Sequence, residues 1–158
     1  KKKHIALNEV VIHSGAIAQL IEYDLFIDDV FVFRQKADGI IISSPTGSTA
    51  YSLSGGGPIV HPSLNAISIV PMFPHSLSSS PLVISADSHI KITTVGKKNK
   101  ASLSFDSHNA LNIPGENEIN IRKSSSVLNL LHPTGHDFYD GCRNKLGWSS
   151  GIIKTPQI

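Results

Sequence analysis

Cysteine and charge are both scarce in this 158-residue chain. The single cysteine, Cys142, excludes an internal disulfide framework and agrees with a reducing, cytoplasmic setting. No apolar run approaches the roughly 20 residues of a membrane span, and the first residues hold no signal-peptide apolar core. Charged residues make up 16% of the chain, against about 25% in typical soluble domains. Two accounts of that deficit stay open: a Ser-rich neutral surface, or a face covered by a partner subunit, a further domain or a ligand. The net charge of +2 is too small to argue for nucleic acid, and the basic residues are scattered apart from Lys1 to Lys3 and Lys97 to Lys100.

What is present suits a real core. Hydrophobic residues make up 40%, and a chain of this length can bury roughly 70% of its unfolded surface. We expect one domain over residues 1–158, with no internal boundary. The opening KKKHIALNEVVI already lies in a strand-like pattern, which leads us to expect a piece of a longer protein. From Ala18 to Asp28, Ile21, Tyr23, Leu25 and Ile27 fall on one side and Glu22, Asp24 and Asp28 on the other, the period of a half-buried strand. Similar runs begin at Val30, Gly39, Pro81, His89, Ala101, Glu118 and Val127, with turn chemistry at Asp28-Asp29, Ala37 to Gly39, Gly96 to Asn99 and Pro114 to Asn117. Only Ser48 to Ser54 and His136 to Leu146 suit helices, the first with a Ser or Thr cap. The expected fold is mainly β, a complex sandwich-like domain with one or two short helices.

Chemistry concentrates in SSPTGSTAYSLSGGGP, Ser43 to Pro58. It is no P-loop, because the lysine before the Ser/Thr is missing. A small-residue turn entering a helix still exposes N–H groups and hydroxyls, and Gly47 allows close approach. The alternative is an ordinary capped turn. Tyr51 can stack on a planar ring or belong to the core. Asn8-Glu9 interrupts a strand: Asn can pair with an adenine edge, and a carboxylate can grip ribose hydroxyls. An edge-strand polar pair is the simpler account. His132 and His136 are four apart, but Pro133 and Gly135 prevent a helix from presenting both rings, so no metal site is expected. GxSxG is absent.

Asn8-Glu9, Asp38-Gly39, PTGSTAY from Pro45, GGP from Gly56, MFPHSLSSSPLVI from Met72 and LGW from Leu146 together resemble NAD kinases, over about Ile5 to Trp148. The resemblance implies the largely β, C-terminal, NAD-binding domain of that family. The N-terminal α/β domain with the GGDG motif has no counterpart here. It further implies phosphoryl transfer from ATP, or polyphosphate, to the 2′-hydroxyl of the adenosine ribose of NAD, assisted by Mg²⁺. Carried over residue by residue, the substrate-binding positions are Asn8 and Glu9 at the nucleoside, Asp38, and Thr49, Ala50, Tyr51, Ser52, Leu53 and Ser54 along the turn. Gln19, Lys36 and His108 are weaker transfers, His108 sometimes acting across a subunit boundary. No catalytic base is nominated, since the family places it on the GGDG aspartate, and the isolated chain is expected to be inactive. Homodimers or homotetramers are implied.

Ser43-Ser44 stands before Pro45 where the family commonly has Thr, and Ser80 stands where it has Arg before Pro81, which removes a fixed charge. Two rival readings remain: a non-catalytic β module that binds nucleotide or protein, and a lipid kinase of related fold. TGSTAY and Asn-Glu speak against the latter.

Overall fold

The computed structural model describes residues 3–16, 19–76, 79–96 and 100–148, with the main chain alone at residues 100, 109 and 110. Two compact units are present, Lys1–Ser125 and Ser126–Ile158.

The first unit contains β1 (Glu9–His13), β2 (Ile21–Ile27), β3 (Val30–Ala37), β4 (Gly39–Ser43), β5 (Ala66–Met72), β6 (Leu82–Ser85), β7 (Ile90–Thr94), β8 (Lys100–Phe105), β9 (His108–Pro114) and β10 (Glu118–Ile121). They form a six-stranded sheet, β6-β5-β4-β1-β8-β9, and a four-stranded sheet, β10-β7-β2-β3. Every pairing is antiparallel. Alternation along the strands supplies the core: Ile12, Ile40, Ile42 and Ile69 from the larger sheet meet Ile21, Tyr23, Leu25 and Ile92 from the smaller. Full burial of such side chains stabilises by about 1.5–3 kcal/mol each. The expected sandwich-like, mainly β fold is therefore what forms.

Two hairpins turn on paired left-handed residues, Asp28-Asp29 (φ 50° and 63°) between β2 and β3, and Asp106-Ser107 (φ 48° and 62°) between β8 and β9. Such a pair matches the strand twist, and Asp tolerates the left-handed region better than most residues. Asp38 does something different from the turn expected at Ala37 to Gly39. It is the single residue between β3 in one sheet and β4 in the other, so the chain crosses between layers there. Residues 97–99 of the expected turn at Gly96 to Asn99 lie outside the described residues.

The outward face of the larger sheet carries a second apolar cluster, Val11, Ile41 and Val70 with Met72 against it. The chain after β4 crosses this face. There the structure corrects the expected Ser48–Ser54 helix: a 3-10 turn, Thr46–Thr49, is broken at Ala50 (φ −100°, ψ −131°) before one helical turn, α1 (Tyr51–Ser54). Pro45 rather than a Ser or Thr precedes the 3-10 turn, without a side-chain cap. Gly55 then packs on Ile41 and Val70, where a Cβ would crowd both.

β5 and β9 were not among the expected strands. AISIVPM has no alternation and ends near Pro71, tolerated because β6 pairs only with Ala66 to Ile69 and leaves that flank of β5 free of a ladder. In the second unit the expected strand at Val127 is absent, and residues 127–131 carry no regular structure. Val127 and Leu131 are 82% and 96% exposed; alternation without a pairing partner cannot make a strand. The expected C-terminal helix forms as α2 (Phe138–Leu146). Asp137 caps it by accepting from the Tyr139 N–H at 2.9 Å, and left-handed Gly147 ends it.

Candidate functional site

Asn8 and Glu9 stand where β1 begins, beside the end of β4, in the register Glu9↔Ser43. Glu9 has the strand parity of Val11, so its side chain lies on the outward face of the larger sheet, under the turn that follows β4. That turn is held on Asn8 directly. Ser44 N–H donates to the Asn8 carbonyl at 2.8 Å, and the Ser44 hydroxyl donates to the Leu7 carbonyl at 2.7 Å. Gly47 lies so close that a Cβ would overlap the Asn8 carbonyl group, so the close approach at this glycine is to main chain, where the sequence led us to expect a ligand.

The hydroxyls were expected to serve as ligand donors, and here the structure is more specific. Ser44 Oγ also accepts from the Gly47 N–H at 3.2 Å. Ser48 Oγ donates to the Pro45 carbonyl at 2.6 Å and accepts from the Val60 N–H at 2.9 Å. Thr49 Oγ1 donates to the Thr46 carbonyl at 3.4 Å. These groups build the turn. Ser52 is fully buried, and its Oγ has no partner among the described residues. Ala50 and Leu53 are half-buried, whereas Tyr51, 42% exposed, and Ser54 offer themselves to solvent.

Glu9 is the unusual group. It is 4% exposed, and Oε2 has no hydrogen-bond partner among the described residues. Burial, and then the charge of Asp106, push its carboxyl above the ordinary range. A buried carboxyl oxygen left unpaired costs free energy that a ligand hydroxyl can recover by donating to it.

Asp106 was not among the expected site residues. Its carboxylate accepts from Leu7 N–H (2.7 Å, Oδ2), Asn8 N–H (2.7 Å, Oδ1) and Glu9 N–H (3.1 Å, Oδ1). Burial acts to raise its pKa, but the three N–H donors outweigh this and hold it below the usual carboxylate range. His108, two residues on, has Nδ1 2.6 Å from the Asp106 carbonyl. A carbonyl only accepts, so Nδ1 carries the proton there. The signal that could have found the turn at Asp106 is the Asp-Ser pair after the strand-like run from Ala101, and it speaks of turn chemistry alone.

Gln19, Lys36 and Asp38 lie elsewhere. Gly39 pairs with His13, four residues along β1 from Glu9, and Asp38 lies one residue further, about 16 Å away at the strand rise of ~3.3 Å per residue. Lys36 is exposed and reaches Glu22 at 3.5 Å, across the outward face of the smaller sheet. Gln19 is exposed, two residues before Ile21, whose strand partner is Ala37. A shallow hollow of about 280 Å³ there is lined by Glu22, Arg34, Lys36 and His75 among others. Glu9 and Lys36 thus face opposite outer sides of one sandwich.

Among the described residues no three His, Cys, Asp or Glu side chains gather as a metal-binding group. No helix among them is long and apolar enough to cross a membrane.

The family model described as the ATP-NAD kinase C-terminal domain matches residues 7–132. An NAD kinase of Wigglesworthia glossinidia brevipalpis is 55% identical over 153 residues, covering 97% of this chain and 52% of that protein. One of Teredinibacter turnerae is 51% identical over 148 residues, covering 92% and 50%. The chain therefore spans about half the length of these relatives. Among solved structures, yeast NADH kinase complexed with NADH superposes with a TM-score of 0.85 at 34% identity, over 95% of this chain and 46% of that one. An NAD kinase from Archaeoglobus fulgidus in complex with ATP gives 0.70 at 34% identity, over 76% and 46%. With Asn8-Glu9 seated beneath the TGSTAY turn and the match running through both sheets, the chain belongs to the NAD kinase family, as its C-terminal domain.

Proposed function

We propose that the complete protein transfers a phosphoryl group from ATP, or polyphosphate, to the 2′-hydroxyl of the adenosine ribose of NAD, and that this chain supplies the NAD-binding part. The observation that carries the reading is the buried, unpaired carboxyl oxygen of Glu9 beside Asn8, under a turn fixed to Asn8 by Gly47 and Ser44. Such a pair suits a nucleoside: the amide meets a base edge or sugar oxygen, and the carboxyl accepts from a ribose hydroxyl. Tyr51 and Ala50 give the apolar wall, and Thr49 shapes the turn. The relatives bound to NADH and to ATP support both substrates.

The 2′-oxygen forms a bond to the γ-phosphorus, the bond to the leaving ADP oxygen breaks, and the hydroxyl proton passes to a base. This chemistry depends mostly on alignment and on neutralising spread charge. The residues here bind and orient; none is assigned as the base, and the chain alone is expected to be silent. We place the enzyme in the cytoplasm, as a homo-oligomer in which Lys36 and Asp38 of one copy approach the Asn8–Glu9 turn of another.

The test is NAD kinase activity of the complete protein carrying Asn8→Ala with Glu9→Gln. The apparent affinity for NAD should fall by about tenfold or more, as for loss of buried polar contacts to a ligand. Unchanged NAD affinity would end the reading.

A further inference from the structure

Strand ends fray, and of the residues before β1 Lys3 and Ile5 are exposed while His4 is held by stacking on Phe105, ring centroids 4.7 Å apart, without fixing the main chain at Asn8. Asn8 and Glu9 nevertheless sit at that end, where a side chain meant to meet a ligand has to be placed to within about 0.5 Å. The carbonyl side of Asn8 is fixed by Ser44 N–H at 2.8 Å and by the Ser43 hydroxyl at 3.3 Å. The N–H side is fixed by one residue, 98 positions away in sequence. Leu7, Asn8 and Glu9 each donate to the Asp106 carboxylate, and Asp106 N–H returns a bond of 3.1 Å to the Glu9 carbonyl.

The turn that holds Asp106 does not explain why it is aspartate. A left-handed residue at φ 48° would be at least as well served by glycine or asparagine. Glycine would leave three N–H groups without their acceptor, and asparagine would present an amide NH₂ where Leu7 N–H now donates. The same residue reaches a third site position, because its carbonyl accepts from His108 Nδ1–H at 2.6 Å.

We infer that Asp106 is a positioning residue of the dinucleotide site: its carboxylate sets the main chain that carries Asn8 and Glu9, and its carbonyl orients the His108 ring. This rests on the reading of Asn8 and Glu9 as NAD contacts. Asp106 acts through them and touches no substrate itself. Because Leu7 is exposed and Asn8 half-buried, water can replace much of what the carboxylate gives their N–H groups, so the fold survives its removal better than the alignment does.

The experiment is a double-mutant cycle in the complete protein, with NAD and ATP affinities read by calorimetry. Asp106→Ala should weaken NAD about tenfold, and Asp106→Asn, which keeps the oxygen shared by Asn8 and Glu9, about threefold, with ATP affinity within about twofold of the parent. In an Asn8→Ala/Glu9→Gln background, Asp106→Ala should change NAD affinity by less than about twofold, since nothing remains for it to position. The same factor in both backgrounds, NAD affinity unmoved by Asp106→Ala, or an equal loss for ATP would each overturn the assignment. Should Asp106→Ala fail to fold, Asp106→Asn carries the cycle with its smaller factor. If the Asn8→Ala/Glu9→Gln protein itself binds NAD like the parent, the site reading falls and this assignment with it; failure of the cycle alone leaves the site reading standing.

Discussion

Gly47 is packed main chain against main chain on Asn8, with no room for a Cβ between it and the Asn8 carbonyl. Neither side can yield cheaply, because Asn8 is held from both flanks and Gly47 N–H is bonded to Ser44 Oγ at 3.2 Å. Gly47→Ala should therefore lift the Thr46–Thr49 turn or displace the start of β1. We expect a loss of about 1–3 kcal/mol in stability, the cost of overpacking, together with clearly weaker NAD binding. Denaturant unfolding and calorimetry of the variant check both, and parent-like values in each would show that the contact relaxes freely.

Glu9 carries a stability cost in the ligand-free chain. Its carboxyl is raised by burial and by Asp106, whereas an unfolded chain titrates near the ordinary value of about 4.3. Between that value and the folded one, the native state holds more protons than the unfolded state. Stability must then fall as pH rises through that window, and stay at the lower level above it. Glu9→Gln removes the titration, so the ligand-free variant should match the parent near pH 4 and exceed it at neutral pH. Thermal unfolding across pH measures this; a variant less stable than the parent at pH 7 would contradict it.

Much of the sandwich was legible because the inward and outward residues of β2, β4, β7 and β10 alternate or run apolar between turn residues. Where pairing rather than pattern decides, it was not. Residues 127–131 are as rich in strand-compatible apolar residues as β10, yet only Glu118 to Ile121 finds a partner, in β7. The Asn8-Glu9 and TGSTAY elements could be joined from the resemblance, but Gly47, read as room for a ligand, serves their contact with each other. The place of Asp38 was not legible for a topological reason: periodicity says which residues share a face of a strand, but a single-residue crossover puts β3 and β4 in different sheets. Asp106 stayed hidden because its partners are 97 to 99 residues away.

Tyr23 is an opposite kind of buried polar group. It is fully buried between the sheets, edge-on to Phe33, with a hydroxyl that has no partner among the described residues. Burial alone holds its ionisation far above the usual range, so it stays neutral throughout the working pH. No site residue touches the argument here. Tyr23→Phe keeps the ring and removes the orphaned hydroxyl, so stability should rise by about 1 kcal/mol, or roughly 2–4 °C in Tm for a domain of this size. A fall in Tm would show that the hydroxyl is hydrogen-bonded after all.

The separation of Lys36 and Asp38 from Asn8 and Glu9 yields a test that affinity alone cannot give. Glu9 lies on the outward side of the larger sheet and Lys36 on that of the smaller, so both can line one pocket only if two copies meet. Take one full-length variant with Asn8→Ala/Glu9→Gln and a second with Lys36→Ala/Asp38→Ala, each inactive or nearly so. Mixed and allowed to exchange subunits as dimers, half the molecules become heterodimers. In each, one site combines both damaged halves and the other combines both intact ones, so about a quarter of parent activity should return. If both halves belonged to the same copy, every site in the mixture would keep one damaged half, and mixing would restore nothing.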